Sequence, residues 1–279
     1  MIDFGQNLEG MVYQDGMRIR HHPATTEDEG LIIASGNSLY ACGEKQKYKL
    51  FTSPLGTINA VAATGAGPAL CYAADNRACV MRPTTDFIVK TEVAKRAGTI
   101  LALMNGNLLY DAGGYPGVYE TVANTKAFDM SEGVQHMARR GHLIYCFCGM
   151  DKTYVYNTAK NSSGENATIE AADDIYFATP VATEPEEEVF LCQIKGDKTI
   201  VLHTPGGSGS LKEIATRWTN WLVLHAANNT LYDANYNVFD TLNDPEGLKP
   251  LFIFDKQVTS MTSLPADEWE KYARIGVKE

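Results

Sequence analysis

The feature of this 279-residue chain that most constrains its fold is internal repetition with a period near 40 residues. The string Gly-Thr-Ile at Gly56 returns at Gly98, and the string Asp-Lys-Thr at Asp151 returns at Asp197. The string Leu-Tyr-Asp-Ala occurs twice, ending at residues 112 and 234. Periods of this length are typical of arrays in which one small structural unit is repeated in a stack or around a ring.

Within one period the apolar residues form short runs that are separated by turn residues. The second period predicts strands at 58–63, 69–73, 78–82 and 86–93, with a tight turn at 74–77 between the second and third. Short runs rich in Val, Ile, Tyr and Phe, bounded by Gly, Asn and Asp, favour antiparallel strands. Helical spacing is confined to two short segments, 211–217 and 266–273. The sequence therefore predicts an all-β chain of repeated four-stranded meanders.

The repeats predict that the whole chain, 1–279, is a single β-propeller domain. Seven four-stranded blades are expected, with six as the alternative because two of the segments are short. A hairpin predicted near the N-terminus, with strands at 11–13 and 17–21, would complete the last blade, so that strands from both termini close the ring and no edge strand is left exposed. The predicted blades are 29–56, 57–96, 97–132, 133–173, 174–217, 218–256, and 257–279 together with 1–28.

Two stretches of sequence resemble a known repeat family. Residues 56–63 and 142–156 are similar to degenerate WD repeats, in which the second strand ends near a Gly and an Asp-containing turn leads into the third strand. The resemblance covers most of the chain at the level of the period, but only two units carry the Asp-Lys-Thr turn and no unit ends in Trp-Asp. The chain therefore resembles a divergent WD-repeat-like propeller, and this resemblance implies a rigid ring of blades.

Composition and cysteine placement indicate the compartment. The first 20 residues show no secretory leader, and no apolar run reaches the roughly 18 residues that a spanning helix needs. We therefore expect an intracellular protein, cytoplasmic or nuclear, with no membrane association. The six cysteines lie among apolar neighbours, so we expect small buried side chains rather than disulfides.

Motifs for catalysis and for metal or cofactor binding are not found. The chain has no phosphate-binding loop, no His-Glu-x-x-His and no Gly-x-Ser-x-Gly. Cys146 and Cys148 would share one strand face, but no second ligand pair lies near them in sequence, so we expect packing and no metal. No cofactor is expected. The alternative to a non-enzyme is a propeller lyase or hydrolase with its site in the central channel, where His136 and His225 would be the first residues to test.

The leading hypothesis is a non-catalytic scaffold that binds protein or peptide partners through loops on one face of the propeller. Basic and aromatic residues recur where loops enter first strands and where second strands turn into third strands. Such a cluster suits an acidic peptide, and the net charge of −10 argues against nucleic acid as the main partner. A role as an architectural subunit of a larger complex is a further alternative. The candidate partner-binding residues are Arg77, Arg96, Tyr115, Lys152, Lys198, Arg217, Trp218 and Tyr236.

Overall fold

The fold was analysed on a computed structural model of the chain. It describes the backbone of residues 12–14, 18–20, 29–43, 45–63, 68–75, 77–94, 100–102, 108–111, 118–120, 125–128, 136–140, 143–147, 153–157, 162–165, 175–180, 189–204, 212–218, 222–227 and 230–279. Side chains are described for 29–43, 45–63, 68–75, 77–92, 196–198, 212–218, 222–225, 227 and 230–279. No helix within these ranges has both the length and the apolar character required to cross a bilayer.

The described backbone is almost entirely β, as the sequence predicts. One helix, α1, spans Ala266–Ile275. The strands are, in chain order, β1 Val12–Gln14, β2 Arg18–Arg20, β3 Glu29–Ser35, β4 Ser38–Gly43, β5 Gln46–Thr52, β6 Ile58–Ala63, β7 Leu70–Ala74, β8 Arg77–Pro83, β9 Ile88–Ala94, β10 Ile100–Ala102, β11 Leu108–Asp111, β12 Val118–Glu120, β13 Thr125–Phe128, β14 His136–Arg140, β15 Leu143–Phe147, β16 Thr153–Asn157, β17 Ser162–Glu165, β18 Ile175–Pro180, β19 Val189–Lys195, β20 Lys198–Thr204, β21 Lys212–Arg217, β22 Val223–Ala227, β23 Thr230–Ala234, β24 Asn237–Asp240, β25 Phe252–Ile253, β26 Val258–Pro265 and β27 Val277–Lys278.

The chain divides into two compact units. The first contains residues 1–2, 27–133 and 251–279, and the second contains 3–26 and 134–250. The expectation of a single domain stays a prediction, as do the number of blades and the closure of a ring.

Sequential antiparallel meanders dominate the first unit. Strands β6 to β9 form one four-stranded sheet in chain order, and β10 to β13 form another. The four strands predicted between residues 58 and 93 are confirmed, each to within about two residues. The turn between β7 and β8 is also confirmed, because Ala74 pairs with Arg77 and Asp75 adopts a left-handed conformation with φ 50°.

The remaining sheet of the first unit differs from the sequence prediction. Its order is β26-β3-β4-β5-β27, so the strand at Val258–Pro265 pairs with Glu29–Ser35. The sequence analysis had placed these two segments in separate sheets. Segment 29–56 supplies only three strands, and β26 provides the missing neighbour for the backbone groups of β3. The hairpin predicted near the N-terminus is confirmed, since Val12 pairs with Arg20, but β1 and β2 form a separate two-stranded sheet.

Helix α1 packs on the sheet that contains β3, β4 and β5. The indole of Trp269 lies over the backbone at Gly30 and Gly43, where an added Cβ would approach ring carbons to 2.1 Å and 2.9 Å. Its Nε1 donates a hydrogen bond to the carbonyl of Leu31 at 3.1 Å. Tyr272 is fully buried and its hydroxyl donates to the carbonyl of Pro68 at 2.5 Å. The predicted helical segment at 266–273 is confirmed, and glycine is required wherever the indole covers the sheet.

The second unit contains further sequential meanders. Strands β14 to β17 form one sheet, β18 to β21 form a second, and β22 to β24 pair in order. The helical turn predicted at 211–217 is wrong, because Lys212–Arg217 is the last strand of the second sheet. Ladder hydrogen bonds to β20 and burial of Ile214 and Ala215 outweigh a local pattern that is barely two helical turns long.

Candidate functional site

A cavity of about 260 Å³ lies in the second unit, where β21 ends and β23 turns into β24. Its position follows from the chain path, because the β21 end, the β23–β24 turn and the segment after β24 all border it. Its lining combines three aromatic residues and one leucine with polar residues that include a buried ion pair. The lining residues are Thr216, Arg217, Trp218, Leu222, Asp233, Asn235, Tyr236, Asn237, Phe239, Glu246 and Gly247.

The buried ion pair joins Arg217 at the end of β21 to Asp233 on β23. The guanidinium donates from Nε to Oδ1 at 2.9 Å and from Nη2 to Oδ2 at 2.5 Å, and the two side chains are 6% and 0% exposed. Thr241 donates a third hydrogen bond to this carboxylate at 3.0 Å. Burial raises the pKa of the Asp233 carboxyl, and the hydrogen bonds from Arg217 and Thr241 act in the opposite direction. The bidentate geometry fixes β21 against β23.

The other N–H groups of Arg217 bind backbone carbonyls. Nη2 donates to Asp244 at 3.0 Å, and Nη1 donates to Thr216 at 3.4 Å and to Pro245. A guanidinium has five N–H groups, and here each has an acceptor. The sequence analysis placed Arg217 among the candidate partner-binding residues, and in the structure its side chain is buried and all its donors bind groups of this chain. Its side chain holds the 244–245 loop against the cavity wall.

Two of the candidate residues predicted from sequence line the cavity with largely exposed side chains, and a third, Lys198, contacts one of them. Trp218 is 78% exposed and Tyr236 is 52% exposed, and both line the cavity. The ammonium of Lys198 lies 4.1 Å from the centroid of the Trp218 ring, in a cation–π contact. Lys198 opens β20 directly after the Gly196-Asp197 turn, in which Gly196 has φ 66°. We call Lys198, Trp218 and Tyr236 the entrance cluster.

Four other candidate residues are not tested by the structure as binding residues. Arg77 belongs to the first unit, where its guanidinium is 3.5 Å from the carboxylate of Glu92. Arg96, Tyr115 and Lys152 lie outside the described residues. For these four, partner binding stays a prediction.

The cysteine and histidine expectations are tested where side chains are described. Cys42, Cys71 and Cys79 are buried free thiols, as expected, and burial raises the pKa of each. His225 lies on β22 with no exposed surface, and burial lowers the pKa of its imidazole to about 3. It is therefore neutral at pH 7. The side chains of His136, Cys146 and Cys148 lie outside the described set.

Sequence reasoning missed eight of the eleven residues that line the cavity, and three of these carry a charged or aromatic side chain. Asp233 belongs to the repeated Leu-Tyr-Asp-Ala string, so the repeat marked its position, but nothing local showed that its carboxylate is buried. Phe239 lies with its ring centroid 5.3 Å from the guanidinium carbon of Arg217, and Glu246 is exposed at the cavity. Within the described ranges, no group of three or more His, Cys, Asp or Glu side chains could hold a metal ion.

Comparisons with known proteins give weak similarities in structure. No protein-family model matches the chain, and no curated protein matches it. A structure of the nidogen/laminin complex matches with a TM-score of 0.43 and 8% identity over 84% of this chain and 98% of that one. The WD40 β-propeller domain of Doa1 matches with a TM-score of 0.49 and 8% identity over 86% of this chain and 95% of that one. The hemopexin-fold protein CP4 from cow pea matches with a TM-score of 0.32 and 14% identity over 57% and 92%. At scores below 0.5 these similarities carry no conclusion about this chain.

Proposed function

We propose that this protein is a non-catalytic, propeller-like scaffold that binds a protein partner through the entrance cluster. The observation that carries the proposal is the exposure of Trp218 and Tyr236 beside a cavity whose wall is held in place by a buried ion pair. Trp and Tyr dominate the binding energy of protein interfaces, and they act best next to pockets that exclude water. The repeated antiparallel meanders support the propeller architecture.

The contacts that order the cavity wall support the proposal that this surface is preformed for binding. Arg217 links β21 to β23 and to the carbonyls of Asp244 and Pro245, so the loop after β24 is ordered before any partner arrives. A preformed surface loses less conformational entropy on binding, and more of its contact energy appears as affinity. Binding by a preformed surface requires no catalytic chemistry from the side chains around the cavity.

The experiment uses wild type and two variants of the chain as bait. Each is added to an extract of the cells that produce the protein, bound proteins are crosslinked, and the recovered partners are compared. Trp218→Ala removes the exposed indole, and Phe87→Ala removes another aromatic ring that is 60% exposed but lies in the first unit. We expect one or more proteins to be recovered with the wild type and with Phe87→Ala, but not with Trp218→Ala. Equal recovery with all three forms would show that the entrance cluster is not the binding surface.

A further inference from the structure

The cavity beside the entrance cluster is small. At about 260 Å³ it lies below the roughly 300–1,000 Å³ of sites that enclose a drug-sized ligand or cofactor. Leu222, Trp218, Tyr236 and Phe239 give it apolar surface. The other lining side chains are mostly polar, so an apolar side chain inserted from a partner would contact the wall formed by these four residues.

Charge recognition at this site depends on Lys198 rather than on Arg217. Each N–H group of Arg217 already has an acceptor, and its charge is neutralised by Asp233, so it offers no donor to a partner carboxylate. The structure gives Lys198 no carboxylate partner among the described residues, and its ammonium lies against the ring of Trp218, which lines the cavity. A partner carboxylate can therefore pair with Lys198 without displacing an existing ion pair.

The other charges limit how acidic the partner segment can be. Glu246 lines the cavity with an exposed carboxylate and would repel an acidic side chain placed beside it. The protein as a whole carries a charge of −10, which repels a highly acidic segment at long range. With one cation against Trp218 and one carboxylate in the cavity lining, a partner that carries a single negative charge is favoured over an acidic tract.

We propose that the cavity binds a peptide segment in which one apolar side chain is adjacent to one Asp or Glu. The apolar side chain fills the cavity against Trp218 and Tyr236, and the neighbouring carboxylate pairs with Lys198. This inference rests on the proposed function and narrows it from protein partners in general to one short motif.

The test uses short capped peptides and the full-length protein, with binding followed by the NMR signal of the Trp218 indole N–H, assigned by its loss in Trp218→Phe. The probes contain Leu-Asp, Leu-Asn, Ser-Asp or a run of four Glu in the same Gly-Ser context, and a thymidine oligonucleotide is the nucleic-acid probe. We expect the Leu-Asp peptide to bind. The Leu-Asn peptide, which lacks the charge pair, and the Ser-Asp peptide, which lacks the apolar contact, should each bind at least about twofold more weakly.

Variants of the protein separate charge from structure. Lys198→Met should weaken binding of Leu-Asp to the level of Leu-Asn, whereas Lys198→Arg should retain it. The control is Leu248→Ala, which removes a side chain that is 70% exposed but does not line the cavity. It should leave the binding of both the Leu-Asp and the Leu-Asn peptide unchanged. Tightest binding by the Glu run or the oligonucleotide, equal binding of Leu-Asp and Leu-Asn, or no indole shift with any peptide at millimolar concentration would overturn the inference. The proposed function would still stand if Trp218→Ala lost partners that Phe87→Ala retained.

Discussion

The buried pair of Arg217 and Asp233 gives the sharpest prediction for stability. The perturbation is Arg217→Leu, which keeps an apolar side chain of moderate size but removes all five donors. It leaves the Asp233 carboxylate with no exposed surface and with the Thr241 hydroxyl as its remaining side-chain donor. It also leaves the carbonyls of Asp244 and Pro245 without the guanidinium.

The expected cost is large because the loss is not compensated by water. Removing one partner of a buried ion pair typically costs about 3–5 kcal/mol, since the remaining charge stays desolvated. The two hydrogen bonds to Asp233 are charge-assisted, and each such bond contributes about 1.5–3 kcal/mol, which agrees with that range. The matched control is Arg274→Leu on α1, whose ion pair with Glu270 is exposed at 76% and 55% and spans one helical turn. Exposed pairs of this kind contribute about 0.3–0.5 kcal/mol.

The assay is urea unfolding at pH 7, followed by circular dichroism, for wild type, Arg217→Leu, Asp233→Leu and the double variant. We expect each single change to lower the free energy of unfolding by about 3–5 kcal/mol, and the double variant to lose clearly less than the sum, because it leaves no unpaired charge. If Arg217→Leu cost no more than Arg274→Leu, or if the two single losses were additive, the pair would not stabilise the cavity wall.

Three further predictions concern buried groups elsewhere. The pKa of His225 is about 3 in the folded protein and about 6.5 in the unfolded chain, so between these pH values only the unfolded chain binds the proton. The free energy of unfolding therefore falls as the pH drops below about 6.5, by about 2 kcal/mol at pH 5. Urea unfolding at pH 7 and pH 5 should show a loss of stability that is smaller by about this amount in His225→Leu than in wild type, and equal losses in the two proteins would contradict the prediction. Gly30→Ala would place a Cβ 2.1 Å from Cγ of Trp269 and should cost about 1–3 kcal/mol, largely relieved in a Trp269→Ala background; an unchanged thermal midpoint would contradict the packing described. Tyr272→Phe should cost about 1–3 kcal/mol in urea unfolding because the carbonyls of Pro68 and Met81 lose the hydroxyl as donor and the bond to Met81 is buried; a loss within error would show that these carbonyls find other donors.

Local sequence patterns predicted local structure well. They failed where a residue's contacts are made with residues that are distant in the sequence. The strands between residues 58 and 93 and helix α1 follow from alternation, turn residues and helical spacing, which are properties of neighbouring residues. The burial of Arg217 could not be predicted, because an Arg followed by an exposed Trp resembles a loop tip until Asp233 is placed beside it. The stack of Lys198 on Trp218 is likewise a contact between two strand ends that only the register of β20 with β21 brings together.

The pairing of β26 with β3 has a consequence for how the chain folds. Ser35 on β3 donates a hydrogen bond to the carbonyl of Lys256, a residue 221 positions away, just before β26 begins. With closure entropy rising as (3/2)RT ln n, joining these segments costs about 3.5 kcal/mol more than closing a hairpin of four residues. The β3–β4–β5 meander must therefore wait for β26 and β27 while the sequential sheets form from near neighbours, and on a ribosome-bound chain its two edges, β3 and β5, stay without these partners until residues 258–278 have been synthesised.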